Sequence, residues 1–243
     1  MMNLLNQSGP VGTLFKDVSV QTHSYKNKDI NGTRVLVIRP GMSHQLSHIQ
    51  ALQQKYKKEG GIEYIITEDG KIDWDDVTTE ESVAYARNEI SKYSPDLIIA
   101  GSRGADLVAE MIQYYNGSIL LFGPVRLDDV FEKNNAPNAS SQKNAVVVVH
   151  GQNDTNMRIN RVRYLVNNSK QELIEMENME HTLKFDDPAQ IELLVNYALR
   201  LKIKQNGGSR RKTSRRKKTS RKKSRRKKTQ HKNKGLRFNR RKY

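Results

Sequence analysis

The sequence predicts an α/β domain on a mostly parallel, doubly wound sheet with helices on both faces, followed by a disordered basic tail. Three observations carry this prediction. Six short apolar runs (Val35–Ile38, Tyr64–Thr67, Leu97–Ala100, Ile119–Phe122, Ala145–Val149 and Leu173–Met176) alternate with stretches of helical periodicity, the pattern of repeated β–α units. Runs without alternation, such as Ala145–Val149, suit strands buried on both faces of a parallel sheet. Charge is also divided unequally. Of 43 Lys and Arg, 21 fall in residues 204–243, which hold no Asp or Glu; residues 1–203 therefore carry 22 basic against 26 acidic side chains, a net of −4. The strong positive charge belongs to the tail and says nothing about the domain.

Residues 1–32 form a loose N-terminal segment, within which Val18–Thr22 alternates as an edge strand would. The domain spans 33–203. Leu46, Ile49, Leu52 and Tyr56 recur at helical spacing, and Gly60-Gly61 stops that helix. Thr78-Thr79-Glu80-Glu81 reads as a capping box ahead of Val83, Ala86 and Ile90. Leu107, Val108, Met111, Ile112 and Tyr115 make one apolar face of the next helix. Arg161–Val166 is a shorter helix. Asp187 as N-cap, Pro188 at the first helical position and Gln190 at the third open a last helix, with Ile191, Leu194, Val195 and Ala198 as its apolar face. Gly207-Gly208 marks the boundary with the tail.

The chemistry centres on Ser102. Asp96–Ala109 reads as a buried strand, a tight turn and a helix, with Ser102 on the turn between Gly101 and Gly104. This is a small-x-Ser-x-Gly elbow, with Ala100 where glycine is commoner. A lone serine hydroxyl is a poor nucleophile; acyl transfer also needs a base, a carboxylate to orient it and donors for the oxyanion. Downstream, the Ala145–Val149 strand runs into His150-Gly151-Gln152-Asn153-Asp154. The Leu173–Met176 strand runs into a loop carrying His181, just before the last helix. Taken singly, a Gly-Ser turn, an Asp after a strand and a His near a helix start are ordinary turn, capping and surface features. Together they place hydroxyl, carboxylate and imidazole at the carboxyl ends of three strands, where α/β sheets carry their functional loops.

On these residues the chain resembles the α/β-hydrolase superfamily over 34–203. It is most similar to the small, lid-poor members of dienelactone-hydrolase and carboxylesterase or acyl-thioesterase type, which share the order Ser, Asp, His and a His-Gly-x-x-Asp segment. The resemblance implies Ser102 as nucleophile, His181 as general base and then acid, and Asp154 as the orienting carboxylate. It implies an oxyanion hole from the backbone N–H of Arg103 and that of Gly41 or Met42, since Pro40 has none; Arg39-Pro40-Gly41 stands where many members carry His-Gly. Lids of this family are inserted before the Ala145–Val149 strand. Here about 22 polar, Asn-rich residues intervene, so the expectation is a shallow, open site without a cap domain. The implied function is a serine hydrolase that cleaves a small-molecule carboxylic ester, thioester or lactone, with no cofactor and no metal. The competing reading is a catalytically inactive hydrolase-fold module for binding or packaging, tethered to nucleic acid by its tail. In a third reading the tail's own binding is the function.

Other features bound these readings. Arg103, Arg126 and Arg158 lie in loops expected at the active edge; they suit either an anionic substrate group or plain solvation. His150 reads as structural support for its turn, and His44 and His48 as a solvated helix face. No His or acid cluster has metal-ligand spacing, and neither a P-loop nor G-x-G-x-x-G occurs. The chain has no cysteine, which excludes disulfides and thiolate sites. It has no apolar run of membrane-spanning length and no secretory signal at its start, so the expectation is a cytoplasmic or nuclear protein that is not secreted. Ser209–Thr229 is a degenerate repeat of Ser-Arg-Arg-Lys-Lys-Thr with no apolar residue, expected to be disordered. Residues 209–243 suit nonspecific contact with nucleic-acid phosphates and match a nuclear-localisation pattern. In composition the tail is similar to those on many proteins of large DNA viruses, which implies packaging or residence near nucleic acid, in a host cell or virion.

Overall fold

A computed structural model describes residues 31–135, 144–169 and 171–201. The expected edge strand Val18–Thr22 and the basic tail lie outside the described residues. Six strands form one sheet: β1 (Arg34–Val37), β2 (Glu63–Ile66), β3 (Leu97–Gly101), β4 (Ser118–Phe122), β5 (Ala145–Gly151) and β6 (Glu172–Met176). Their order is β2-β1-β3-β4-β5-β6, and every pair is parallel. Each falls on one of the six apolar runs. The central strands β3, β4 and β5 are buried along their whole length, whereas the edge strands β2 and β6 are partly open, as a sheet covered on both faces requires.

The helices are α1 (Leu46–Glu59), α2 (Glu80–Tyr93), α3 (Gly104–Met111), α4 (Leu127–Asn135), α5 (Ile159–Ser169) and α6 (188–201); a 3₁₀ turn, Ile112–Tyr114, extends α3. Side chains alternate across each strand, and the core splits accordingly. Val35, Val37, Leu97, Ile99, Leu120, Val147 and Val149 meet Ile49 and Leu52 of α1 and Ile191, Leu194 and Val195 of α6. Leu36, Ile98, Leu121, Val146 and Val148 meet α2, α3, α4 and α5 on the other face. The strand order reverses between β1 and β3, which grow outward in opposite directions. The crevice at such a switch point, at the carboxyl ends, is where an open α/β sheet binds its ligand.

Three details differ from the sequence reading. The polar segment before β5 contains a helix, α4, which buries Leu127, Val130, Phe131 and Asn134; residues 136–143 lie outside the described residues. The cap of α2 is Thr79 and not Thr78: its hydroxyl accepts from Ser82 N at 3.3 Å, while Thr78 N–H and Oγ1–H both donate to Asp76 Oδ1. His48 is not a solvated face residue, because its Nε2 lies 2.9 Å from Phe185 O, which ties α1 to the loop before α6. The other expected stops hold: Gly60 ends α1 at φ +76°, and Asp187 Oδ1 accepts from Ala189 N at 2.8 Å to open α6. Among the described residues no helix is long and apolar enough to cross a membrane.

Candidate active site

Ser102 occupies the turn between β3 and α3 with φ +45°, a left-handed conformation that costs a non-glycine residue on the order of 1–3 kcal/mol. Its N–H donates to Phe122 O at 2.9 Å, and Ala105 N–H donates to Ser102 O at 3.2 Å, so both sides of the turn are fixed. The turn needs small neighbours for reasons of space. A Cβ at Gly101 would lie 2.7 Å from Gly41 O, and one at Gly104 would lie 2.7 Å from Pro40 O. Ala100 does not crowd the turn: its Cβ lies 3.5 Å from where a Cβ at position 104 would be, ordinary contact, so the limit at 104 is Pro40 O and not Ala100.

Three residues from separate loops converge on one line. Ser102 Oγ lies 2.8 Å from His181 Nε2, and His181 Nδ1 lies 2.8 Å from Asp154 Oδ2. The Asp154 side chain is fully buried, while that of His181 keeps 21% exposure on the solvent side. A buried carboxylate must be hydrogen-bonded to stay charged. Here Oδ1 accepts from Asn156 N at 2.7 Å and Met157 N at 3.3 Å, and Oδ2 faces the imidazole. The loops themselves are interlocked: Gln152 N donates to Met176 O and Asn153 N to Met179 O, at 3.0 and 2.9 Å. This stitches the aspartate loop to the chain leading to His181.

The β1 loop closes the site from the other side. Gly41 has φ +82°, and its Cα approaches β3 so closely that a Cβ would fall 1.9 Å from Gly101 O. Met42 N–H donates to Arg39 O at 3.1 Å. Among the described residues the N–H groups of Gly41 and Arg103 donate to no protein acceptor. Of these two, Arg103 directly follows Ser102 in the chain, and Gly41 packs against Gly101 and the Cβ of Ser102.

The three loop arginines separate. The Arg103 guanidinium donates to Asp75 O, and Arg126 pairs with Asp129 at 2.5 Å; both are turned to protein partners. Arg158 is exposed. A cleft of about 960 Å³ is lined by Arg39 and Pro40, the start of α1, the Glu68–Trp74 loop and the start of α2, and Ser102 does not line it. The site is therefore located by the converging side chains and not by cavity size. No group of three or more His, Asp or Glu among the described residues could hold a metal ion.

Two further residues complete the constellation: Gln45, which no sequence motif marks, and His150, the first residue of the His-Gly-x-x-Asp segment. Gln45 is buried, and its Nε2 donates to Thr182 O at 3.1 Å and Leu183 O at 2.8 Å, directly after His181. His150 is wholly buried next to Asp154, with Nε2 at 2.6 Å from Met157 O and 3.5 Å from Asp154 Oδ2.

The same architecture occurs in a solved structure. The esterase domain of a Rhodothermus marinus protein is 13% identical, with a TM-score of 0.51 over 71% of this chain and 88% of that one. An α/β serine hydrolase homologue from Coxiella burnetii is 16% identical, with a TM-score of 0.49 over 69% and 86%. The chain has the α/β-hydrolase fold. At these identities the likeness concerns the fold alone. No protein-family model matches the chain, and no curated protein sequence does. In an α/β-hydrolase fold a nucleophile stands on a strained strand-to-helix turn, followed in the chain by the acid and the histidine. Here Ser102 stands on the β3-to-α3 turn at φ +45°, and Asp154 and His181 follow it in the chain in that order.

Proposed function

We propose that this protein is a serine hydrolase that cleaves a carboxylic ester, thioester or lactone through an acyl-enzyme. The observation that carries the reading is the continuous line from Ser102 Oγ through His181 to buried Asp154, at 2.8 Å per link, on a serine held at φ +45°. His181 Nε2 takes the hydroxyl proton as Oγ attacks the carbonyl carbon. The oxyanion is met by the N–H groups of Arg103 and Gly41, whose donors are otherwise unengaged. His181 then returns the proton to the leaving oxygen or sulfur. Water, activated by the same imidazole, attacks the acyl-enzyme and releases the acid and the free serine. Asp154 holds the imidazole in the tautomer whose Nε2 is a base, and stabilises the imidazolium that forms.

The test is labelling by a fluorophosphonate probe. Wild type should be labelled and Ser102→Ala should not, and the same variant should lose hydrolysis of p-nitrophenyl acetate. A folded wild type that the probe ignores would favour the competing reading, a hydrolase-fold binding module without catalysis.

For residues 209–243 we propose nonspecific contact with nucleic-acid phosphates and a cytoplasmic or nuclear location, on the strength of the Lys/Arg repeat. Affinity of the full chain for duplex DNA should fall steeply with salt, with a slope of about −0.9 in log–log form per phosphate neutralised. Replacing 209–229 by a Gly-Ser repeat should flatten that slope.

A further inference from the structure

We infer that His150 is a positioning residue for the acid of the triad, holding the Asp154 turn so that Oδ2 meets His181. The inference rests on the serine-hydrolase reading above and goes beyond it, because His150 touches neither substrate nor the reacting atoms.

The side chain of His150 is fully buried, and so is that of Asp154. Nε2 lies 2.6 Å from Met157 O, and a carbonyl only accepts, so Nε2 carries the proton. Nδ1 is then a lone pair, buried and without a partner among the described residues. An imidazolium would place a second buried N–H there with nothing to receive it. Burial accordingly pushes the His150 pKa below its ordinary value, against the opposing pull of Asp154. His150 is a neutral donor with a single engaged proton.

The position of that proton ties it to the site. Met157 supplies an N–H to Asp154 Oδ1 at 3.3 Å, beside the one from Asn156 at 2.7 Å. The same Met157 offers its carbonyl to His150. The imidazole therefore fastens the far end of the turn whose amides grip the carboxylate. Its Nε2–H also stands 3.5 Å from Asp154 Oδ2, adding positive potential where the negative charge is buried. His150 and His181 flank one carboxylate: His181 at hydrogen-bond distance, His150 through the turn. A structural histidine that merely filled space could be replaced by any side chain of similar volume. A positioning donor can be replaced only by another donor at the same point.

The experiment compares full-length wild type with His150→Leu, His150→Gln and His150→Asn. Readouts are the fluorophosphonate labelling rate and kcat and KM for p-nitrophenyl acetate, each well below the variant's own Tm. The Gln amide nitrogen lies as many bonds from Cα as Nε2 does; the Asn nitrogen matches Nδ1. His150→Leu should lower kcat and the labelling rate on the order of 100-fold, the scale of a reacting group displaced by about 1 Å, and leave KM within about 2-fold. His150→Gln should recover most of the loss and His150→Asn should not. If His150→Leu does not fold, the Gln and Asn pair alone decides, and equal rates for the two overturn the inference. A folded His150→Leu labelled at the wild-type rate also overturns it. A wild type that is not labelled at all overturns the serine-hydrolase reading, and this inference with it.

Discussion

Asp154→Asn should reduce kcat on the order of 10⁴-fold without unfolding the protein, and the reason can be worked out atom by atom. The carboxylate has two unlike ends. Oδ1 accepts from the amides of Asn156 and Met157, while Oδ2 accepts from His181 Nδ1. An asparagine amide must choose which end carries NH₂. Placed at the Oδ1 position, NH₂ would face two backbone N–H donors and leave both without an acceptor, about 1–3 kcal/mol for each. The carbonyl therefore takes that position and NH₂ faces His181. An NH₂ donates, so Nδ1 of His181 must become the lone pair and its proton must sit on Nε2. Nε2 now donates towards Ser102 Oγ, and the base is gone.

Loss of the correct tautomer costs about 10⁴ in kcat in triads of this kind, equivalent to about 5.4 kcal/mol of transition-state stabilisation. What remains comes from the oxyanion amides, which the substitution does not touch. The assay is kcat for p-nitrophenyl acetate with the thermal unfolding temperature measured in parallel, since the substitution preserves volume and both Oδ1 contacts. A folded Asp154→Asn enzyme within about 10-fold of wild type would refute the role given to Asp154.

Other substitutions test other parts of the constellation. Gly41→Ala should lower stability by at least the 1–3 kcal/mol typical of a strained backbone, because its Cβ would fall 1.9 Å from Gly101 O at φ +82°; if Gly41 is an oxyanion donor, kcat should fall about 10²–10³-fold as well, read by unfolding and steady-state kinetics. Gln45→Met keeps the volume but removes the donor to Thr182 O and Leu183 O; denaturant unfolding should record a loss of about 1–3 kcal/mol, and kcat should fall with little change in KM. His150 should also leave a mark on stability against pH. Its folded pKa is depressed by burial below the ordinary 6.5, so the unfolded chain takes up the proton first as pH falls. That part of the stability is present above about pH 6.5 and is lost as pH drops through the folded pKa, by at most about 1.4 kcal/mol per pH unit. Denaturant unfolding at pH 7 and pH 5 should show a smaller difference for His150→Gln than for wild type.

The centre of the sheet was readable because β3, β4 and β5 are buried on both faces, which writes them as near-continuous apolar runs, while the partly open edge strand β6 still shows its buried positions around Glu175. Ser102, Asp154 and His181 were readable for a related reason: each follows such a run, so strand and site residue are adjacent in sequence. Helix α4 was not. Its buried face is completed by Asn134, whose side chain exchanges hydrogen bonds with Asn144 at 3.2 and 3.3 Å, a partner ten positions on that no periodicity reveals. Gln45 was missed in the same way, since its acceptors lie 137 and 138 residues away. Between Gly41 and Met42 the sequence could not choose, because the choice depends on whether the turn engages the Met42 N–H internally, as it does with Arg39 O.

The contacts also divide the site into two bodies with a seam between them. The elbow and the β1 loop form one, locked where Gly41 and Gly101 meet backbone to backbone. The Asp154 turn and the chain into His181 form the other, joined by Gln152 N to Met176 O and Asn153 N to Met179 O. The distance from Oγ to Nε2 spans the seam, whereas the distance from Nδ1 to Oδ2 lies within one body. Gln45 crosses the seam, since it stands at the start of α1 beside the β1 loop and grips the carbonyls after His181. Gly123 also abuts it: a Cβ there would lie 2.9 Å from His181 O and 3.5 Å from His181 Nδ1, so the position has no room for a side chain without shifting the His181 backbone. Changes at the seam should therefore weaken the serine's activation while leaving the His181–Asp154 pair intact, whereas changes within the aspartate turn should break that pair and, with it, the activation that depends on it. The downfield proton of the His181–Asp154 hydrogen bond separates the two cases: Gln45→Met should keep that resonance while losing rate, and Asp154→Asn should abolish it.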